Sequence, residues 1–315
     1  MKRGLIVLVV IFALLLNVGC LKKEDQKKDL IIADQFGLAY APIQIMKEKG
    51  YLNDELKDYE ITWVKLGNAA AIREAIIADK LDIGFMGIPP FIIGADKGTD
   101  WKIFSGLSSS PLGLVTNDEN IKTLKDIEKT DRIVLPQPGS IQHILLKMAA
   151  ENELNDSSIF DEQLITMNHS DGMNALLSES DINLHFTSPP YLFKELQNEK
   201  THLVVDSKEA FGDEFTFIVG VCDEEMFNNK IEYEAFLKAL NKSIEFINNS
   251  HEETIEILSK YYDYDKETLY DYIYNNGIVY ENEIKGLEKF VNFMYEEKMI
   301  ENIFLEDDLI WKVVN

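Results

Sequence analysis

Between residues 30 and 86 short apolar runs alternate with amphipathic stretches, and few folds accept that order. The run at 30–33 predicts a strand. Residues 42–49 follow as a helix that opens on Pro42 and is closed by Gly50. The run at 59–64 predicts a second strand. Asn68 then caps a helix in which Ile72, Ala75, Ile76 and Ala78 share one face. The run at 81–86 predicts a third strand. Strand, helix, strand, helix, strand in this succession folds into a parallel sheet, because each crossover helix returns the chain to the same edge.

Beyond residue 100 the pattern changes and then repeats. Strands are predicted at 103–107 and 113–115. Thr123 with Asp126 resembles a helix cap in which Asp replaces the longer Glu. A strand at 132–135 leads through the turn 136–139 into a helix that starts at Ser140 and carries Ile144, Leu145, Met148 and Ala149. A strand at 164–167, a helix from Ser170 and a strand at 182–186 complete a second α/β set. Another strand is predicted at 215–221. From Ile231 onward the pattern is helical, with breaks near Ser250, Asp263 and Gly277. The fold class is therefore α/β, with two lobes and a helical C-terminal region. The second lobe, 116–215, is inserted into the first, 29–115 and 216–315.

The chain begins with an export pattern. Lys2 and Arg3 precede an apolar run from Gly4 to Leu16. That run is shorter than the roughly 20 residues a membrane-spanning helix needs, but it suits a signal-peptide core. Cys20 follows in a context that resembles a lipobox, although Leu16 lies four residues before it and Asn17 takes the usual place. Residues 1–19 read as a signal peptide. Cys20 reads as the lipidated residue, and the charged stretch 20–28 as a tether to the outer face of the cell membrane. Cys222 lies in an apolar run and reads as a buried core thiol.

Charge and motifs exclude several activities. Asp and Glu number 55 against 31 Lys and Arg, a net charge of −24. Nucleic-acid binding needs clustered cations, so it is disfavoured. Two cysteines cannot build a disulfide scaffold or a zinc ribbon. The chain has no dinucleotide fingerprint and no phosphate-binding loop. His251-Glu252-Glu253-Thr254-Ile255 lacks the second His of a zinc protease. Pro138 and Gln142 replace both glycines of a nucleophile elbow around Ser140. Ser140 and His143, three apart at a helix start, do not by that spacing make a nucleophile and base. His169, His185, His202 and His251 are scattered. No catalytic residue, metal ligand or cofactor is expected.

What remains is a set of turns that end strands and begin helices: 67–70, 86–90, 138–143 and 186–191. In a parallel sheet such turns gather at the carboxyl ends of the strands, where ligands bind. Free N–H groups at helix starts can there hold an anion without Arg or Lys. Gly67-Asn68-Ala69-Ala70, Asp82-Ile83-Gly84-Phe85-Met86-Gly87, Pro138-Gly139-Ser140-Ile141-Gln142-His143 and Phe246-Ile247-Asn248 occur in that order. From about residue 29 to 262 the chain resembles the nitrate/sulfonate/taurine-type substrate-binding proteins of ABC importers, with their pyrimidine-binding relatives.

The resemblance implies a type II periplasmic-binding-protein fold, with a ligand cleft between two lobes and two crossing strands as hinge. It implies a first cleft loop at 37–42 with Tyr40, and contacts from Asn68 and Gly87. Ser140, Gln142 and His143 would hold the ligand from the second lobe, with Thr187 and Ser188 opposite. Family members often carry a Trp-Glu-Pro-Tyr-like segment there, where this chain has Thr187-Ser188-Pro189-Pro190-Tyr191. No cleft Arg is evident, since Arg73 lies within a helix. The expected ligand is a sulfonate, a taurine-like compound, nitrate or a similar small anion. The alternatives are a neutral heterocycle such as a pyrimidine or flavin precursor, stacked on Tyr40 or Phe186, and a sensory or co-receptor module. An enzyme resembling the pyrimidine-precursor synthases would need a cysteine-rich iron motif that Cys222 alone cannot supply. The expected partners are an ABC permease with its ATPase, and the expected state is a monomer.

Overall fold

The structure, a computed structural model, describes residues 28–178 and 181–311. The signal peptide, Cys20 and all of the tether but Lys28 lie outside the described residues. Two five-stranded sheets organise the chain. The first contains β1 (Lys28–Asp34), β2 (Tyr59–Lys65), β3 (Ile83–Gly87), β4 (Lys102–Ser108) and β10 (Ile218–Cys222), in the order β2-β1-β3-β10-β4. The second contains β5 (Gly113–Thr116), β6 (Ile133–Leu135), β7 (Leu164–Thr166), β8 (Leu184–Thr187) and β9 (His202–Asp206), in the order β7-β6-β8-β5-β9.

The two sheets share one plan. β1 runs parallel to β2 and β3, with Ile32 opposite Trp63, and β6 runs parallel to β7 and β8. Each sheet has one strand that opposes its neighbours: β10 is antiparallel to β3 and β4, and β5 to β8 and β9. These are the strands that arrive from the other lobe, so they enter their sheet from the opposite end. The structure thus has the expected two-lobe α/β architecture.

Some boundaries differ from expectation. Residues 113–115, assigned above to the first lobe, pair with β8 and β9 in the second sheet. The chain therefore crosses between sheets at 109–112, where Pro111 interrupts the ladder donors. The third strand starts at Ile83 because Asp82 turns its carboxylate onto the Ile31 N–H at 2.6 Å. Thr123 and Asp126 do cap each other, but over a single 3-10 turn, Leu124–Asp126. The helix expected from Ser170 starts one residue earlier, His169–Leu177, with Asn168 as its cap. The helix Tyr191–Leu196 and strand β9 had no distinct sequence signal.

The C-terminal region packs on the first sheet. Its helices Lys230–Asn249, His251–Leu258 and Lys266–Tyr274 break at Ser250 and around Asp263, as expected. Phe236 lies against Phe85 of β3 and Phe104 of β4, with ring centroids 6.2 and 5.6 Å away. Lys238 and Lys242 pair with Glu55 at 2.7 and 2.9 Å. Cys222 is fully buried, and burial pushes its thiol well above the ordinary range, which fits a core residue.

Candidate functional site

The carboxyl ends of the parallel strands of both sheets face one cavity of about 290 Å³. Its wall draws on both lobes. Gln35, Phe36, Tyr40, Asn68 and Gly87 come from the first, and Ser140, Gln142, His169, Ser188 and Tyr191 from the second. Helix starts dominate it. Asn68 caps Ala69–Ile77, its Oδ1 accepting the Ala71 N–H at 3.0 Å. Gly87 precedes Ile88–Asp96. Ser140 caps Ile141–Leu154 through the His143 N–H at 3.3 Å. Asn168 caps His169–Leu177 through the Asp171 N–H at 2.9 Å.

In the three side-chain caps the side chain takes the N–H of the third helical residue. The first two N–H groups of a helix have no acceptor within it, and here they belong to Ala69 and Ala70, Ile141 and Gln142, and His169 and Ser170. Together with the helix dipoles they give the cavity a positive lining. The start of Ile88–Asp96 contributes less, because Pro89 and Pro90 have no N–H to offer. Neither Lys nor Arg is among the lining residues. The same wall carries apolar surface from Phe36, Pro90, Ile141, Tyr191, Phe217 and Ile218.

The loop that carries Tyr40 is tied down from behind. Tyr262 donates its hydroxyl to the Gly37 carbonyl at 2.8 Å, and Tyr280 donates to the Leu38 carbonyl at 3.0 Å. From the front, the Leu38 N–H donates to the Pro189 carbonyl of the other lobe at 3.3 Å. This hydrogen bond spans the two lobes beside the cavity.

Of the residues named from the resemblance, Tyr40, Asn68, Gly87, Ser140, Gln142 and Ser188 stand in the cavity wall. His143 does not. Its Nδ1 accepts the Gly139 N–H at 3.0 Å, and its Nε2 faces Asp161 at 3.4 Å, beside Lys147. Successive helical residues are turned by about 100°, so Gln142 and His143 cannot share a face. His143 instead braces the 136–140 turn, and its burial holds the ring below its ordinary pKa. Thr187 also stands back from the cavity: its Oγ1 lies 3.1 Å from His169 Nδ1. Phe186, weighed above as a stacking ring, points to the opposite face of β8 and is fully buried. Arg73, within the helix that Asn68 caps, is not among the residues of the wall.

Sequence reasoning missed Gln35, Phe36, Asn168 and, with the most contacts to the expected residues, His169. It stands in the wall, with Nε2 at 3.2 Å from Gln142 Nε2 and 3.4 Å from Ser188 Oγ. Its ring stacks on Tyr191 at 5.6 Å. Burial, with His185 close by, lowers its pKa to about 3, so the ring adds no positive charge to the cavity at neutral pH. Among the described residues no cluster of three or more His, Cys, Asp and Glu could hold a metal, and no helix is long and apolar enough to cross a membrane.

Known proteins share this architecture. A Bacillus subtilis (strain 168) protein named as binding aliphatic sulfonates is 27% identical over 316 residues, covering 96% of this chain and 92% of that protein. The alkanesulfonate-binding protein SsuA from Xanthomonas axonopodis pv. citri, solved bound to MOPS, superposes with a TM-score of 0.76. It is 16% identical, over 90% of this chain and 98% of its own. The Candida albicans CA3427 product, described as exhibiting the generic periplasmic binding protein fold, superposes with a TM-score of 0.72. It is 15% identical, over 90% of this chain and 96% of its own. The fold is thus that of the periplasmic binding proteins. The family model described as NMT1-like matches residues 25–260, which carry both sheets and every helix start around the cavity. The chain belongs to the NMT1-like family.

Proposed function

We propose that the protein captures a small organic sulfonate and delivers it to an ABC importer. The observation that carries this reading is a cavity lined by helix N-termini, side-chain donors and apolar side chains, with no Lys or Arg in its lining. Such donors suit a singly charged, weakly basic oxyanion. The apolar side chains suit the short alkyl tail that a sulfonate has and nitrate lacks. The sulfonate-binding names of the relatives support the same ligand class. In this reading residues 1–19 direct export and Cys20 carries the lipid anchor. The protein works as a monomer on the outer face of the membrane, and a permease with its ATPase accepts the ligand-bound form. Residues 29–112 and 216–315 act as one lobe and 113–215 as the other, closing on the ligand as a hinge.

A thermal-shift panel of methanesulfonate, taurine, longer alkanesulfonates, nitrate and neutral pyrimidines tests this. A ligand at a hundredfold excess over its Kd stabilises the folded form by about 2.7 kcal/mol, which moves the melting temperature by several degrees. Sulfonates should give that shift. A shift with pyrimidines alone would replace the reading with a heterocycle receptor that stacks its ligand on Tyr40, Phe36 or Tyr191. Gln142→Ala should then weaken sulfonate binding by about 0.5–1.5 kcal/mol, the contribution of one hydrogen bond. Unchanged affinity in calorimetry would remove Gln142 from the site.

A further inference from the structure

The cavity wall has no cationic side chain, and His169 is uncharged, so any donor it presents must be a neutral N–H. Which ring nitrogen carries that proton depends on what stands behind it. His169 Nδ1 lies 3.4 Å from His185 Nε2. The other nitrogen of His185, Nδ1, lies 2.6 Å from Glu195 Oε1. His185 and Glu195 are both fully buried, and Glu195 Oε2 has no hydrogen-bond partner. Gly172 makes room for this arrangement: a Cβ there would come within 2.6 Å of His185 Nε2.

Few other ionisable groups face the chain of three. Strands β5 and β6, which flank β8, contribute none of them, being Gly113-Leu114-Val115-Thr116 and Ile133-Val134-Leu135. The helix Ile141–Leu154 presents Gln142, while its His143 and Lys147 turn away to Asp161. The helix His169–Leu177 has Asp171, which is engaged with the Asn168 side chain. The helix Tyr191–Leu196 adds Tyr191, stacked on His169, and the exposed side of that helix carries Lys194.

Two proton arrangements satisfy these contacts. With Glu195 ionised and His185 neutral, His185 Nδ1–H donates to the carboxylate. Its Nε2 then accepts from His169 Nδ1–H, and His169 shows a bare lone pair to the cavity, where the Gln142 amide N–H can meet it. With one more proton on the Glu195–His185 pair, and one proton shared between Glu195 Oε1 and His185 Nδ1, His185 Nε2 carries hydrogen whichever of the two atoms holds the shared proton. His185 then donates to His169 Nδ1, as Thr187 Oγ1–H also can. His169 Nε2–H points toward Ser188, the turned Gln142 carbonyl, or a bound ligand.

We propose that His169 Nε2–H is a hydrogen-bond donor to the ligand's anionic oxygens, and that the buried Glu195–His185 pair holds the proton there. The proposal rests on the anion-receptor reading above. Burial raises the Glu195 carboxyl to about 9, so the pair keeps its proton at neutral pH and releases it in alkali. The site thereby gains a neutral donor where a cation is absent. Glu195 and His185 are positioning residues; only His169 meets the ligand.

Imidazole 15N shifts of the full chain, without ligand, read the ring protons directly. His169 is assigned among the five histidines by comparison with His169→Gln. At pH 7 the proton should be on His169 Nε2 and should move to Nδ1 above about pH 9. A proton on Nδ1 at pH 7 overturns the proposal. Calorimetry with methanesulfonate supplies the second arm. Wild-type affinity should fall tenfold per pH unit above about 9, as expected for a single required proton. Glu195→Gln, whose amide donates permanently to His185 Nδ1, should abolish that fall. An alkaline fall that persists in Glu195→Gln overturns the relay. Should methanesulfonate fail to bind wild-type protein at pH 7, the ligand half of the proposal fails with the sulfonate reading, and the 15N shifts alone decide the relay.

Discussion

Truncating Phe236 to alanine is expected to destabilise the protein by about 3–5 kcal/mol, the usual cost of removing a buried aromatic ring. Phe236 is 1% exposed. Its ring meets Phe104 edge-on and lies beside Phe85, so the substitution empties the seam between the helix Lys230–Asn249 and strands β3 and β4. Little can move in to fill the space, because both neighbours are fixed by strand pairing. The readout is selective. The three tryptophans, Trp63, Trp101 and Trp311, lie in β2, just before β4, and against Cys222 of β10. Tryptophan fluorescence therefore follows the first sheet, while far-ultraviolet circular dichroism follows both. The fluorescence transition should move to lower denaturant by the full amount. A transition within experimental error of wild type would mean that the C-terminal helices are not part of the first lobe.

Gly37→Ala is expected to lower both stability and ligand affinity. Gly37 has φ 118° and ψ 164°, a conformation essentially reserved for glycine, and forcing another residue into it costs about 1–3 kcal/mol. The loop cannot relax readily, since Tyr262 and Tyr280 hold its carbonyls. An added Cβ would also stand 3.1 Å from the Pro189 carbonyl oxygen, on the facing lobe. The backbone strain acts whether or not ligand is bound, but the crowding acts only when the lobes meet. The melting temperature should therefore drop without ligand, and the Kd should rise as well. A lower melting temperature with unchanged Kd would separate the two effects and remove the Leu38–Pro189 contact from closure. An unchanged melting temperature would show that the loop is free to rearrange.

The alternation of apolar runs with capped helices was enough to read two α/β lobes, and the strand periodicity reached nearly every strand. What escaped it was short or weakly patterned. β9 is half exposed, and Tyr191–Leu196 is less than two turns, too brief for a 3.6-residue period to register. The site divides along the same line. Asn68 and Ser140 were legible because a cap, a turn and a helix coincide in sequence. His169 was not, because the helix was read from Ser170, which leaves its first residue and its cap, Asn168, outside the pattern. His143 misled for the opposite reason: a good motif contains it, but helical rotation turns it away from its neighbour Gln142. The pairing of His185 with Glu195 spans ten residues and depends on which face of β8 meets the following helix. No local pattern encodes that.

The position of β10 has a consequence for how the molecule is made. β4 takes its place in the first sheet only through β10, because β10 stands between β3 and β4. The second sheet, by contrast, is complete once Asp206 has been synthesised, since β5 to β9 are contiguous in sequence. A chain that emerges from its N-terminus therefore closes the later lobe first. The earlier lobe waits with β4 unpaired until Cys222 emerges, then for the helices that cover it. During that interval the strand that most needs protection from aggregation is β4, with one edge already facing the place β10 will fill.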